Sequence, residues 1–381
     1  MDRTAIIGVG MTKIEAEKKG ETFADMAWEA VNRALDDAGM SIDDIDNVVT
    51  TSSDFWDGRT ISLMAVGDAS GAATKNISCV EGDGTFGAFY ANARALSGSY
   101  KTTLVTGHSK GSQCVSSLIT NASFDPIYER ELGMDMITAC AMQANAYMHR
   151  TGLKPEEMAL VSVKNHGNAL QNPMAQLPMK ITVEDVLASE MIADPLHKLD
   201  CSPVSDGCCA VIIAHETAAT KFRQKPVWIR GLSFCTDSFF FGDRDLARSN
   251  ALAEAAKKAY SMAGIKDPKK EIDVVELYDA FTYQELLWLE EMGLAEYGKA
   301  AGMLRAGEFN VDGRMPVNPS GGLLAGHPVI AAGLYRIAEI VLQLRGDAGG
   351  HQVRKAKTGL AHGVNGLCGQ SHCVWVLDGE K

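Results

Sequence analysis

Twice along this chain an amphipathic helix ends in Ala-Gly and runs through Ile-Asp into an apolar strand, first at Ala38-Gly39 and again at Ala263-Gly264. The stretches that follow, Ser41–Val49 (SIDDIDNVV) and Glu271–Leu277 (EIDVVEL), occupy matching positions. Self-similarity at this distance points to an internal duplication of about half the chain. Whatever fold the sequence adopts must therefore present the same strand and helix faces twice.

The local patterns fill in that frame. Thr4–Gly10 is an apolar, β-rich run ending in a glycine turn, which predicts a buried first strand. From Phe23 to Ala38 apolar residues recur at helical spacing, with Thr22 placed to cap the start and Gly39 to close the end. Ile45–Thr50 predicts a strand, Thr85–Leu96 a helix stopped by Ser97-Gly98, and Thr102–Gly107 a strand. In the second half the same reading gives a strand at Val227–Leu232, a helix at Asn250–Ala263 and a strand at Asp273–Leu277. It continues with helices at Thr282–Met292 and Ile330–Arg345 and a last strand at Cys373–Leu377. Strands alternate with helices, so the expected class is α/β. The expected division is 1–225 and 226–381, with a polar, Met-rich excursion over about 112–194 inserted in the first half.

Composition narrows the functional classes. With 381 residues, 46% hydrophobic and 22% charged, the chain has the material for two packed units. The net charge of -12 and the absence of a lysine/arginine block argue against nucleic-acid or anionic-membrane partners. No apolar stretch approaches 18 residues, and the first residues lack a leader-like run. The nine cysteines are odd in number and the only close pair is adjacent, Cys208-Cys209, which fits free thiols in a reducing cytoplasm. No metal-ligand spacing is present, so no metal is expected.

Three segments exceed what packing needs. Asn318–Pro328 (NPSGGLLAGHP) surrounds one histidine, His327, with glycines that let backbone approach a ligand. Glu276–Phe281 carries Tyr278 and Asp279 at the end of a strand, where α/β folds place reactive groups. Ser78–Thr85 leads into a helix whose N-terminus favours a thiolate or oxyanion; a plain strand-to-helix turn is the competing reading.

Together these segments resemble the active-site loops of the thiolase superfamily, in its sterol-carrier-protein-type and archaeal branch. The likeness extends through AIIGVGMTK (Ala5–Lys13), LVSVKNHGNALQNPMAQ (Leu160–Gln176), ITVEDVLAS (Ile181–Ser189), ADPLHKLDCSPVSDG (Ala193–Gly207), PVNPSGGLLAGHP (Pro316–Pro328) and GLAHGVNG (Gly359–Gly366). The resemblance implies two duplicated βαβαβαββ halves in five layers with an inserted loop domain, assembled as a homodimer or with another thiolase-like chain. It implies an acyl-CoA substrate, coenzyme A as substrate or product, and no covalently bound cofactor. His327 matches the histidine of the family's Gly-His-Pro loop, while Ser320, Gly321, Gly322 and Gly366 match loop positions expected at the substrate.

The same resemblance exposes departures. Counted back without gaps from Ser97–Tyr100, Glu81 falls where the family has its nucleophilic cysteine. Cys79, two residues earlier, takes that place if the segment carries a local insertion. Tyr278-Asp-Ala280-Phe281 stands where the branch has His-Asp-Cys-Phe, and Cys368 offers a thiol near the C-terminus. Two reactions at the Cα–Cβ bond of a CoA thioester stay open: thiolysis through Cys79, or retro-aldol cleavage through Tyr278, Glu81 and His327. Related aldolases work with a small partner built from a zinc ribbon and an OB-fold. A non-catalytic subunit of a heteromeric thiolase and an acyl-CoA carrier are the alternatives. Phe239, Phe240 and Phe241, consecutive in SFCTDSFFFGDRD, are expected to cover a bulky or aromatic acyl group, or else to form an interface or core patch.

Overall fold

The computed structural model describes residues 2–380. Nine strands form one mixed sheet: β1 (Thr4–Met11), β2 (Asn47–Ser52), β3 (Asn76–Glu81), β4 (Thr102–Lys110), β5 (Asp206–His215), β6 (Val227–Thr236), β7 (Val274–Glu276), β8 (Thr358–Asn365) and β9 (Ser371–Asp378). The helices that matter for the site are α1 (Phe23–Ala38), α2 (Gly84–Leu96), α3 (Met136–Thr151), α4 (Pro155–Ala169), α5 (Asn250–Ala263), α6 (Thr282–Glu291) and α7 (Ala332–Arg345).

The strand order is β3-β2-β4-β5-β1-β6-β9-β8-β7. Read outward from the central β1–β6 junction, where Ala5 pairs with Trp228 and Ile6 with Val227, the two sides repeat each other. On one side β1, β5, β4 and β2 are followed by β3; on the other β6, β9, β8 and β7 are followed by an isolated parallel bridge between Val275 and Val317. The pairing senses match as well, antiparallel β5–β4 and β9–β8 against parallel β4–β2 and β8–β7. The duplication legible in the sequence is thus a duplication of topology.

Helix packing gives five layers. α1 packs on β1, β5 and β4 at one outer face, and α5 on β6 and β9 at the other. Between the sheet halves lie α2 and α7, which touch each other and strands of both halves. The helices come close because glycines face them: a Cβ on Gly10 would strike the Ala30 carbonyl of α1, and one on Gly231 the Ala259 carbonyl of α5. The Ala-rich faces of the two outer helices answer these two strand glycines. Thr22 caps α1 by accepting from the Asp25 amide at 3.2 Å, and Gly39 ends it at φ 68°.

Three strands of the sheet have no counterpart among the predicted ones: β3, read only as the approach to a helix, β5 and β8. β5 contains the run Cys208–Ala214, buried throughout, so it lacks the alternation that marks a half-exposed strand. β8 carries Gly359 and Gly363, which read as loop; Gly363 is bare because Asp83 and Thr85 occupy the space of its side chain. The helix expected from Ile330 starts at Ala332, because the Ile330 carbonyl accepts the Gly84 amide at 2.9 Å and the Ala331 amide turns back to Pro328 at 2.8 Å. No helix among the described residues is long and apolar enough to cross a membrane.

Candidate active site

The cavity that gathers the predicted residues lies where the ends of β3 and β7 meet the loop before α7. It encloses about 430 Å³, and Glu81, Asp83, Tyr278, His327, Gly366 and Cys368 all line it.

The loop carrying His327 is wound onto the end of β7. Asn318, Gly321 and Gly322 take φ values of 50°, 101° and 63°, the left-handed region. The Ser320 amide and hydroxyl donate to the Glu276 carboxylate at 2.9 and 2.8 Å, and the Leu323 amide donates to Asp279 at 2.6 Å. Arg336 of α7 closes this buried cluster by pairing with Glu276. Asn165 of α4 donates to Asp279 and Glu285 at 2.7 and 2.8 Å, and Asn318 donates to Glu285 at 3.0 Å. Burial first, then the neighbouring Glu285, pushes the Asp279 carboxyl up. Ser320, Gly321 and Gly322 therefore do not reach the cavity, contrary to the expectation that they contact substrate. They sit behind it, where their backbone freedom and donors fix the loop against a strand end.

At the other end of that loop, His327 meets Tyr278. The Tyr278 hydroxyl lies 2.8 Å from His327 Nε2, with the rings edge to face. Ser202 Oγ lies 2.8 Å from His327 Nδ1, and the His327 amide donates to Ser205 Oγ at 2.9 Å. Burial, reinforced by Arg336, lowers the imidazole to about 3, so His327 is neutral at ordinary pH. The Tyr278 phenol is pushed well up, chiefly by burial and next by the Asp83 carboxylate. The pair is thus a neutral phenol and a neutral imidazole sharing one hydrogen bond. Tyr278 is held from both sides of its backbone: Trp288 Nε1 donates to its carbonyl at 3.0 Å, and its amide donates to His362 Nδ1 at 3.4 Å. His362 Nε2 then contacts His372 Nδ1 at 3.0 Å, and His372 Nε2 contacts Ser249 Oγ at 3.0 Å.

The head of α2 falls within one residue of the predicted start at Thr85. Neither Glu81 nor Cys79 heads the helix: β3 runs on to Glu81, Gly82 turns at φ 113°, Asp83 caps, and Gly84 is the first helical residue. A Cβ on Gly84 would lie 2.5 Å from Leu334 Cγ and 2.9 Å from Leu334 N of α7. Glu81 faces the cavity and accepts from Ser53 Oγ at 3.1 Å. Cys79 lies outside the cavity lining, its sulfur 3.2 Å from Ser52 Oγ.

Asp83 was not singled out from sequence, yet it is the buried carboxylate nearest the helix start. It accepts from the Thr85 amide at 3.0 Å and the Gly333 amide at 2.7 Å. Burial nonetheless raises it from 3.8 to about 6. Between those values the folded protein holds a proton that the unfolded chain has released. Asp83's contribution therefore makes stability fall as pH rises from about 4 to about 6. Thermal unfolding followed across that window should show this limb, and Asp83→Asn should flatten it.

Two further placements correct the sequence reading. Phe239, Phe240 and Phe241 do not line the cavity. Phe241 is buried against Phe124 with the Arg244 guanidinium over its ring, Phe240 meets Tyr128 edge to face, and Phe239 is half exposed. The run anchors the 124–128 segment, the interface-or-core alternative. Cys368 does line the cavity, at φ 46°, and its sulfur lies 3.3 Å from Cys140 of α3. Besides Asp83, Ser202, Cys140 and Gln284 are lining residues that motif reading passed over; Ser202 alone carried a signal, inside the segment ADPLHKLDCSPVSDG.

Comparison with known proteins agrees with this architecture. The thiolase N-terminal domain model matches residues 4–217, and the thiolase C-terminal domain-like model matches residues 234–379. An acetyl-CoA acetyltransferase of Methanothermobacter thermautotrophicus is 36% identical over 379 residues, 97% of this chain and 98% of its own length. Benzoylsuccinyl-CoA thiolase subunit BbsB of Thauera aromatica is 34% identical over 239 residues, 62% of each chain. Among solved structures, the Ltp2-ChsH2(DUF35) aldolase superposes with a TM-score of 0.85 at 26% identity, covering 99% of this chain and 97% of that one. Human sterol carrier protein 2 is 30% identical over 95% of this chain and 70% of its own length. The chain belongs to the thiolase superfamily, in the branch of archaeal acetyl-CoA acetyltransferases and sterol carrier protein 2 thiolases, whose enzymes act on CoA thioesters.

Proposed function

We propose that this protein cleaves the Cα–Cβ bond of a 3-hydroxyacyl-CoA by a retro-aldol reaction, or forms that bond in reverse, without an acyl-enzyme. The observation that carries the reading is the 2.8 Å Tyr278–His327 contact in a cavity where Glu81, and not a cysteine, lines the wall before the helix head. The substrate's 3-hydroxyl passes its proton to the Tyr278 oxygen as the phenol proton moves to His327 Nε2. The O–H electrons become the carbonyl π bond, the Cα–Cβ bond breaks, and its electrons enter the thioester enolate. Return of the proton through Tyr278 to Cα completes an acyl-CoA and an aldehyde or ketone, with no net proton change. Burial keeps His327 neutral and able to accept the proton.

Thiolysis through Cys79 finds less support, since that sulfur is outside the cavity lining. The test is to incubate the protein with a 3-hydroxyacyl-CoA and a 3-oxoacyl-CoA. Carbonyl release from the first, with no acyl adduct by intact-mass spectrometry from the second, is the expected result; a stable adduct on any cysteine overturns the reading. Gly84→Cys should not create thiolase activity, and should lower stability by roughly 1–3 kcal/mol through overpacking against Leu334.

Assembly with a second chain is part of the proposal. β3 is a sheet edge with exposed residues at Asn76, Val80-adjacent Cys79 and Glu81, and an open edge calls for cover. A second copy, or a thiolase-like or small zinc-ribbon/OB-fold partner, would provide it.

A further inference from the structure

Apart from the groups already described, the buried lining of the cavity carries one amide where an acyl chain alone would need only carbon. Cys140, Gln284, Phe281, Leu367 and Cys368 line it and are all buried, in contrast to the hydroxyl-bearing residues such as Ser117 at the open side. Among them Gln284, 3% exposed, stands out. Its amide nitrogen points into the wall, 3.4 Å from Tyr283 Oη and 3.7 Å from Cys140 Sγ. Tyr283 in turn donates to Gln143 Oε1 at 2.7 Å, and Gln143 donates to the Cys368 carbonyl at 3.3 Å, so the orientation of the Gln284 amide is set from behind. No donor among the described residues reaches Gln284 Oε1, and that oxygen is not sealed in by protein. Gln284 lines the cavity, and its oxygen is an acceptor without a partner among the described residues.

We infer that Gln284 is a specificity residue, and that the acyl group taken by this site carries a hydrogen-bond donor, a hydroxyl, at the end remote from the thioester. In the empty site water can serve the Gln284 oxygen. A ligand that fills the pocket displaces that water and must replace its hydrogen bond, or leave a buried carbonyl unpaired. Sites built this way reject the analogue that lacks the donor far more strongly than an apolar pocket rejects an added methylene. The inference rests on the reading of this cavity as the acyl-CoA site, but not on the retro-aldol step.

The test therefore uses binding of unreactive ligands. Acyl-CoAs without a 3-hydroxyl cannot undergo retro-aldol cleavage, so calorimetric binding is measured for two matched pairs. One is 3-(4-hydroxyphenyl)propanoyl-CoA against 3-phenylpropanoyl-CoA; the other is 6-hydroxyhexanoyl-CoA against heptanoyl-CoA. The expected result is that the hydroxylated member of at least one pair binds about tenfold more tightly. Gln284→Leu should erase that preference, and Gln284→Glu, which keeps an acceptor, should retain it. Circular dichroism and thermal unfolding of each variant show whether it is folded; if Gln284→Leu is not, the Gln284→Met variant takes its place. Equal affinity within both pairs, or a preference that survives loss of the acceptor, overturns the inference. Binding with the expected preference but no carbonyl release from any 3-hydroxyacyl-CoA would leave Gln284 in its role and remove the retro-aldol step instead.

Discussion

Replacing Tyr278 by Phe is expected to lower kcat for 3-hydroxyacyl-CoA cleavage by about 10²- to 10⁴-fold, the range associated with losing a positioned proton-transfer group. The variant removes one oxygen and the 2.8 Å bond to His327 Nε2, while the ring still fills the wall beside Asp83 and Ala280. Binding of an acyl-CoA that lacks the 3-hydroxyl should change by no more than a few-fold, since the lost oxygen acts on the hydroxyl proton. The measurement is steady-state carbonyl release alongside calorimetric affinity for the unreactive analogue. Cleavage at near wild-type rate by the Phe variant would eliminate Tyr278 as the proton acceptor. His327→Gln should fall in the same range, and the double variant should lose little more than either single one, because the two groups act as one relay.

The largest expected stability effect lies behind the site. Arg336→Met leaves Glu276 buried and unpaired, with Ser320 as its remaining side-chain partner. Breaking one side of a buried pair costs about 3–5 kcal/mol, a large share of the roughly 5–15 kcal/mol that holds a typical protein folded. Urea unfolding should register that drop. Combining Arg336→Met with Glu276→Leu should recover much of it, because the uncompensated charge is then gone. Destabilisation that is no smaller in the double variant would show that packing of the arginine stem, rather than the charge, dominates. Loosening this cluster also frees Ser320, so the single variant should lose activity in step with the order of the His327 loop.

The pattern of success in reading the sequence follows from which interactions are local. Helix α1 and helix α5 were legible to the residue, because their apolar spacing, Thr22 at the start of α1 and Gly39 and Gly264 at the ends all lie within one stretch of chain. The duplication was legible for the same reason, since the repeated Ala-Gly-to-strand pattern is written twice in local order. β5 and β8 were not, because a strand buried on both faces shows no alternation, and the glycines of β8 answer to Asp83, Thr85 and Ile340 on other elements.

The candidate site divides along the same line. His327 and Tyr278 were named from motif and departure alone, as residues of a loop and a strand end rich in chemistry. Their partnership spans 49 positions, and the neutrality of His327 comes from burial, which no spacing encodes. Glu81 was matched to the nucleophile position by counting alone; that a turn through Gly82 and Asp83 separates it from the first helical residue, Gly84, has no local signature. Ser320, Gly321 and Gly322 look alike whether a glycine loop faces a ligand or a strand end; only Glu276 and Asp279 packed against them decide it. Sequence by itself determined the duplicated α/β fold and singled out the two residues that meet at 2.8 Å in the cavity, because periodicity, caps and motif residues are properties of neighbouring positions. Tertiary structure alone decided that Gly84 is packed bare against Leu334, that Asp83 caps the helix behind it, and that the three phenylalanines anchor a loop. Those outcomes depend on Leu334, Gly333 and Phe124, which the fold brings up from distant parts of the chain.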